Sequence, residues 1–426
     1  MFGGNSVCSD ISFVILKNIK SHKNMYEHKI AIIGVGYVGL PLLEAFSINK
    51  HNEVIGYDIS EERINDIRHQ FVDSGIQLLL TSNVDDIASS NVYVVTVPTP
   101  IDKNNKPNLI CLSEACSMLG SLVKKNDIII FESTVYPTMT EDYCIPIIES
   151  KTKLQAGKDF LYGFSPERIN IGDPEHTIRN SIKIVAGCDK QTTIKIAEIY
   201  KSIPGIKVKT VASIKVAEAA KLMENSQRDL LIAFANEYSE FCTKIGININ
   251  DVIVAASTKW NFSQVYPGLV GGHCISVDPY YLLQKAFDIG LQLPLVSTAR
   301  IVNENKVSKV VNRFVDKLRE ADVPNENNKI LIIGFSYKKN CADIRNTKVA
   351  NLVEGLENHG YKVDVYDPLV NRLAAENMYN IHLVTKEEFT HHQYRGILEA
   401  VHHDAFLNLH FDDSVSKLIL KIEQLL

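Results

Sequence analysis

The sequence predicts an α/β protein built from two Rossmann-like doubly wound domains joined by a central helical domain with one long helix. Three observations carry that reading. A glycine fingerprint opens at Gly34 between an apolar run and a helix-compatible one. No glycine or proline falls between Ser213 and Ile245. A second alternation of strand, turn, helix and strand begins at Lys329. At 426 residues the chain is too long for one ordinary core. The expected divisions are an N-terminal extension over 1–28, a first Rossmann domain over 29–210, a central domain over 211–310 and a C-terminal domain over 311–426.

Composition excludes several classes. The 45% hydrophobic and 22% charged residues suit a soluble enzyme, and a net charge of -5 gives no electrostatic case for nucleic acid. No apolar run approaches the roughly 18 to 20 residues that span a bilayer. The eight cysteines show no C-x-x-C, which disfavours a disulfide framework or zinc ribbon and predicts a reducing, cytoplasmic setting. The pairs His391-His392 and His402-His403 lack a metal-ligand pattern and read as surface residues.

Lys29 to Ile33 reads as a strand ending in Gly34-Val35-Gly36-Tyr37-Val38-Gly39. Helix-compatible Leu40 to Ser47 follows, then a strand over Glu53 to Tyr57 closing on Asp58. Strand, glycines, helix and an acidic residue 19 positions after the last glycine arrive in the order a dinucleotide site needs. The glycines admit a pyrophosphate to the helix N-terminus, and Asp58 suits ribose hydroxyls. A carboxylate there repels a 2′-phosphate, so NAD is the expected cofactor. Val92 to Val97, Asp127 to Phe131 and Leu161 to Phe164 read as buried strands. They deliver Thr99, Thr134 and the pair Glu167 and Arg168 to strand ends, where ligands collect in open α/β sheets.

In the long helix, Glu218, Lys221 and Asn225 share a face at i, i+3 and i+7. Their neighbours Ala217, Ala220, Leu222 and Met223 leave little solvent stripe, and a Lys–Asn pair in a cleft suits an oxyanion. Gly271-Gly272-His273-Cys274 then places a cysteine behind two glycines, where a substrate can come close, with Asp278 four residues on. Such a thiol is a candidate covalent nucleophile. More helix follows, carrying Arg300 and Asn303, and Asp322 to Asn328 reads as a linker. Lys329 to Ile333, Val349 to Glu357 and Tyr361 to Tyr366 form the second α/β unit. Lys338 and Arg345 in its first long loop suit a second phosphate-bearing ligand.

Assembled, these motifs resemble the UDP-glucose/GDP-mannose dehydrogenase family over nearly all of residues 29–426. The carriers are the glycine fingerprint, Glu132-Ser133-Thr134, Ser165-Pro166-Glu167-Arg168, Lys221 with Asn225, Gly271 through Asp278, and Lys338 with Asp343 and Arg345. Thr258-Lys259-Trp260-Asn261-Phe262 and Asp343-Ile344-Arg345-Asn346-Thr347 look most like the Vi-antigen-type branch acting on UDP-N-acetylhexosamines. The resemblance implies NAD-dependent four-electron oxidation of sugar C6 through a Cys274 thiohemiacetal and thioester, for surface polysaccharide biosynthesis. It implies that Lys221 and Asn225 stabilise oxyanions, that Asp278 assists proton transfer, and that Glu167 and Thr134 place the hydrolytic water. Cofactor contacts are implied for the fingerprint, Asp58, Arg63, Thr99, Thr134 and Arg345. Substrate contacts are implied for Glu167, Arg168, Lys221, Asn225, Tyr266, Gly271 and Lys338, and the family pattern, with the long helix's apolar circumference, implies a homodimer.

Some positions depart from the pattern. Val277 replaces a lysine of the UDP-glucose branch, Thr138 a glycine, Ile171 and Ala342 prolines, while Arg395 and Glu399 interrupt an expected apolar strand over Tyr394 to Val401. The weighed alternatives are a UDP-glucose or UDP-N-acetylmannosamine dehydrogenase, a two-electron hydroxyacid-type dehydrogenase, and an NAD-sensing scaffold without turnover. The hydroxyacid type has no use for a glycine-flanked cysteine or a third domain.

Overall fold

The computed structural model describes residues 27–72, 77–168, 177–321, 328–407, 409, 411, 416 and 418–426. Nearly all of the expected extension over 1–28, most of the expected linker, and Ile171 lie outside them. The described residues divide into two compact units. One comprises residues up to Thr99, 110–168 and 177–218, the other 100–109 and everything from Ala219.

The first unit is one eight-stranded sheet with its crossover helices. In chain order it runs β1 (His28–Ile33), α1 (Gly39–Ser47), β2 (Asn52–Tyr57), α2 (Glu61–Phe71), β3 (Leu79–Thr81) and β4 (Val92–Val95). It continues with α3 (Ile110–Leu122), β5 (Ile128–Phe131), α4 (Ile145–Lys151), β6 (Leu161–Phe164), β7 (Ile182–Gly187), α5 (Lys190–Lys201) and β8 (Lys207–Thr210). The sheet order is β3-β2-β1-β4-β5-β6-β7-β8, and its direction of growth reverses between β1 and β4. Both faces of such a sheet are covered, which is why β4 and β5 are apolar at every position and wholly buried. All its pairs are parallel except β6 with β7.

The long helix α6 (Ile214–Ile245) begins in this unit and carries the chain into the second. Its first turns bury Glu218, whose carboxylate accepts the backbone N–H groups of Thr138 (2.7 Å) and Thr140 (3.0 Å). Burial pushes that carboxyl up to about 7 against those hydrogen bonds. Thr138 stands at φ +82°, in the left-handed region that a β-branched residue rarely enters, which explains why a glycine suits this position.

The second unit contains the rest of α6, then α7 (Ile249–Ala256), α8 (Asp278–Asp288), α9 (Pro294–Glu320), β9 (Lys329–Ile333), α10 (Lys348–Asn358) and β10 (Lys362–Tyr366). It closes with α11 (Arg372–Tyr379), α12 (Lys386–Thr390), β11 (Gly396–Glu399) and β12 (Ile419–Lys421), forming a parallel sheet of order β10-β9-β11-β12. Four expectations need adjustment here. Gly290 at φ +73° and Pro294 split the helix expected after Asp278 in two, so Arg300 and Asn303 lie on α9. Helix α9 carries the chain across the boundary expected at 310, because Val311, Phe314, Val315 and Leu318 pack into the core beside β9. Strand β11 forms despite Arg395 and Glu399, which flank or end it rather than fill its buried positions. Met223 is exposed, so α6 does present a solvent face, and that face is partly apolar.

Among the described residues no helix is long and apolar enough to cross a membrane. Replacing Thr138 by Gly relieves the left-handed strain and should stabilise the protein by about 1 kcal/mol net of the glycine's added chain entropy. A rise in denaturation midpoint checks this.

Candidate active site

In the first unit the fingerprint glycines do three different jobs. Gly34 turns the chain at φ +91°, Gly39 packs where a Cβ would lie 1.9 Å from the Gly34 carbonyl, and Gly36 faces open space. An open position at the N-terminus of α1 fits a pyrophosphate, so these residues suit NAD. Asp58 Oδ2 accepts the Val35 N–H at 3.1 Å and its Oδ1 accepts the Ser60 N–H at 3.0 Å. Arg63 is tied to the same turn, donating from Nε to the Val35 carbonyl at 3.1 Å. Tyr37 and Val38 complete the loop, Tyr37 being exposed.

The turn bearing Thr134 follows β5. Glu132 and Ser133 donate their backbone N–H groups to the Val95 carbonyl, and Ser133 Oγ donates to the Val97 carbonyl at 2.7 Å. The adjacent turn, after β6, carries Glu167 and Arg168. The structure joins the two turns through Lys183 on β7, whose Nζ lies 2.5 Å from Glu132 and 3.3 Å from Glu167. Glu167 is therefore in a buried ion pair and not in the solvated loop that its sequence context also allows. Arg168 reaches the Ile182 carbonyl at 3.1 Å, and Thr99 lies just beyond β4, partly buried.

In the second unit, Cys274 sits half-buried on the turn leading into α8, and its carbonyl accepts the N–H groups of Val277 and Asp278. Asp278 is fully buried, accepts Asn225 Nδ2 at 2.5 Å, and feels the Lys221 ammonium. Burial raises its pKa, opposed by Lys221 and by the Asn225 hydrogen bond. Among the described residues its Oδ1 is buried without a hydrogen-bond partner. Lys221 and Asn225 thus lie together as the helix face predicts, with Asp278 and the cysteine turn beside them, whereas Glu218 on that face points to the 138–140 turn instead.

The two glycines before Cys274 serve a purpose besides the expected substrate approach. A Cβ on Gly272 would lie 2.9 Å from the Tyr337 ring, and one on Gly271 would lie 2.7 Å from the Asn346 carbonyl. They let loops of the same unit close on the cysteine turn. His273 Nδ1 lies 3.2 Å from the Arg345 guanidinium, and Arg345 is held bidentate by Asp343. Burial first, then Arg345, Lys221 and Lys338, push His273 down to about 4 against Asp343. Tyr266, Gly271, Lys338, Lys348 and His402 line a cavity of about 410 Å³ in this unit.

Two features escaped sequence reasoning. One is the Lys183 cluster, signalled only by a lysine inside the apolar strand run Ile182–Gly187. The other is a buried polar chain behind the cysteine turn. Arg300 donates to Asp229 (2.6 Å) and to the Ile275 carbonyl (3.4 Å), and Asn303 links Asp229 to Asn236, which reaches Gly268. His403, expected at the surface, is instead buried. It accepts the Asn340 N–H on Nδ1 and pairs through Nε2 with Asp367 at 3.0 Å, because it fills the end of the second sheet.

Residues 28–204, 215–305 and 331–423 match, in turn, the NAD binding, central and UDP binding domains of the UDP-glucose/GDP-mannose dehydrogenase family. The chain is 41% identical to UDP-N-acetyl-D-glucosamine 6-dehydrogenase of Pseudomonas aeruginosa, covering 90% of this chain and 93% of that one. It is 39% identical to the protein of the same name from Salmonella typhi, covering 91% and 92%. The structure of UDP-D-ManNAc dehydrogenase from Pyrococcus horikoshii superposes with a TM-score of 0.82 at 28% identity, covering 92% and 94%.

Asp229→Ala removes one of the two carboxylates on the buried Arg300 guanidinium, the partly exposed Glu304 remaining, and leaves Asn303 without its acceptor; it should cost about 2–3 kcal/mol in denaturant unfolding. Adding Arg300→Met to that variant should restore part of the loss.

Proposed function

The chain belongs to the UDP-glucose/GDP-mannose dehydrogenase family, and from that premise we propose that it oxidises the C6 hydroxymethyl of a UDP-N-acetylhexosamine to the uronic acid. UDP-GlcNAc is the first choice because the relatives at 39% and 41% identity carry that name, with UDP-GalNAc as its C4 epimer. The observation that carries the reading is the buried Asp278, joined to Asn225 and Lys221 at the foot of the Cys274 turn. That arrangement offers a nucleophile, an oriented N–H, a cation and a proton acceptor in one place, which is more than a two-electron oxidation needs.

Bound NAD supplies the hydride acceptor, once for the alcohol and once for the captured aldehyde. In this reading Asp278, through a bound water, takes the C6 hydroxyl proton as the first hydride leaves. Cys274 sulfur then bonds to the aldehyde carbon, and Lys221 and Asn225 hold the oxygen that becomes anionic. Loss of the second hydride from that thiohemiacetal leaves a thioester on Cys274. Water placed by Glu167 and Thr134 attacks the acyl carbon, the C–S bond breaks, and the uronate departs. Capture by sulfur keeps the reactive aldehyde from escaping between the two oxidations. Fingerprint residues, Asp58, Arg63, Thr99 and Arg345 serve the cofactor in this proposal, and Tyr266, Gly271, Arg168 and Lys338 the UDP-sugar. A glycosyltransferase assembling a surface polysaccharide is the class of enzyme that consumes such a product.

The proposal extends to a homodimer through α6. Phe234, Tyr238, Phe241 and Ile245 are exposed at i, i+4, i+7 and i+11, forming one apolar stripe, and Met223 lies on the same helix. A stripe of this kind on a helix calls for a partner surface.

With purified protein, UDP-GlcNAc should yield two NADH per sugar, and Cys274→Ala should abolish turnover while substrate binding persists. One NADH with free aldehyde or ketone would refute the four-electron reading, and a screen against UDP-GalNAc, UDP-ManNAc, UDP-glucose and GDP-mannose reads the substrate. Sedimentation should show a dimer at micromolar concentration that Phe241→Glu dissociates; a wild-type monomer overturns the interface.

A further inference from the structure

The first unit buries a cluster that the proposed chemistry leaves without a task. Lys183 Nζ lies between Glu132 Oε2 (2.5 Å) and Glu167 Oε2 (3.3 Å), with their side chains 4%, 0% and 8% exposed. Tyr200, fully buried, donates its hydroxyl to the other oxygen of Glu132, and the ammonium lies 5.4 Å from the Tyr200 ring centroid. Buried ion pairs are weak contributors to stability, because desolvation offsets the attraction and apolar replacements often serve as well. A lysine here calls for a reason beyond packing.

The topology supplies one. Strands β5 and β6 run parallel, and their following turns carry Glu132-Ser133-Thr134 and Ser165-Pro166-Glu167. Strand β7 is antiparallel to β6, with Gly163 opposite Gly187 and Phe164 opposite Ala186. Continuing that register sets residue 183 across from 167. The reversal therefore delivers the start of β7, with its lysine, to the ends of β5 and β6. Ser165 Oγ donates to the Ile184 carbonyl at 2.9 Å and fixes the same register.

We infer that Lys183 is a positioning residue for the hydrolytic half of the reaction, stapling the Glu132 turn that bears Thr134 to the Glu167 turn so that both hold the attacking water in one geometry. The inference rests on the four-electron reading above. In the step concerned, the water oxygen bonds to the acyl carbon, the C–S bond breaks to return the Cys274 thiolate, and the water's proton passes to the Glu167 carboxylate. No electrons are transferred. The groups facing Glu167 are the Lys183 ammonium, Glu132 beyond it, the Tyr200 hydroxyl on α5, and the neighbouring Arg168. Burial pushes Glu132 up to about 7, opposed by Lys183. Burial disfavours the Lys183 ammonium too, but the two carboxylates outweigh it and hold its pKa above the ordinary lysine value. The ammonium bridges both carboxylates, and Glu167, whose side chain is 8% exposed against 0% for Glu132, is the one open to meet a water as base.

The test compares the full-length wild type with Lys183→Met and with the double variant Lys183→Met, Glu132→Gln, which removes the uncompensated buried charge should the single variant fold poorly. Rapid mixing with NAD and UDP-GlcNAc follows NADH, and intact-protein mass spectrometry follows adducts. For both variants the first-turnover burst of two NADH per site should persist, and steady-state kcat should fall on the order of 100-fold, with KM falling alongside it because the acyl-enzyme accumulates. A sugar-acyl adduct on Cys274 should accumulate. Equal slowing of burst and steady state, or unchanged kcat, overturns the inference and leaves Lys183 a structural residue. A wild type that forms one NADH per sugar and never carries an acyl adduct instead refutes the four-electron reading itself.

Discussion

A charge withdrawn from water must find its partner on another segment of the chain, and this constraint shapes the turns of the protein. Asp278 meets Asn225, Arg300 meets Asp229, Glu132 meets Lys183, and Glu218 meets two backbone N–H groups. In each case the partners come from different elements. The alternative, an orphaned buried charge, costs several kcal/mol, so each pairing fixes a turn that propensity alone would leave loose. Turns that carry the proposed chemistry are held this way: the cysteine turn by Arg300 through the Ile275 carbonyl, the Thr134 turn by Glu132.

The two sheet units show how one local geometry is put to two uses. Each first strand ends in a glycine at positive φ, Gly34 and Gly334, whose N–H bonds the last carbonyl of the neighbouring strand. In each, an aspartate just past that neighbouring strand accepts the next N–H of the turn. Asp58 accepts one further N–H, from Ser60, and remains partly exposed. Asp367 goes on to accept from Ser336, Leu369 and His403, and is buried. Burial works against its ionised form, yet these hydrogen bonds hold its carboxyl below the usual range. Buried and accepting four hydrogen bonds, Asp367 is not open to a ribose as the partly exposed Asp58 is.

Much of this was legible in the sequence because the relevant signals are local. The fingerprint, its helix and Asp58 lie within one βαβ unit, and Lys221 and Asn225 share a face by helical periodicity. The Asn225–Asp278 hydrogen bond, across 53 residues, was not legible from that face. Partners brought together by strand order were not legible. Lys183 meets Glu132 across 51 residues only because β7 reverses direction, and His403 meets Asp367 across 36. A His-His pair in a polar stretch looks like surface until the sheet shows one ring filling its end. Glycines misled in a different way. Gly271 and Gly272 signal close approach correctly, but the atoms that approach are the protein's own Tyr337 and Asn346.

The neighbour of the proposed nucleophile raises a last question, since a histidine beside a cysteine suggests a Cys–His dyad. The electrostatics argue against it. His273 is pushed down to about 4 by burial and by the cations of Arg345, Lys221 and Lys338. An ordinary cysteine thiol titrates near ~8.5, so passing its proton to such an imidazole is uphill by a factor of roughly 10⁴ or more. The neutral ring is better placed as an acceptor, its Nδ1 facing the Arg345 guanidinium, which Asp343 grips from the other side. The same three cations that depress His273 favour any negative charge in their neighbourhood, whether thiolate, oxyanion or diphosphate. Activation of Cys274 in the proposed reaction therefore belongs to the field of these cations, and His273 serves to hold Arg345 in place.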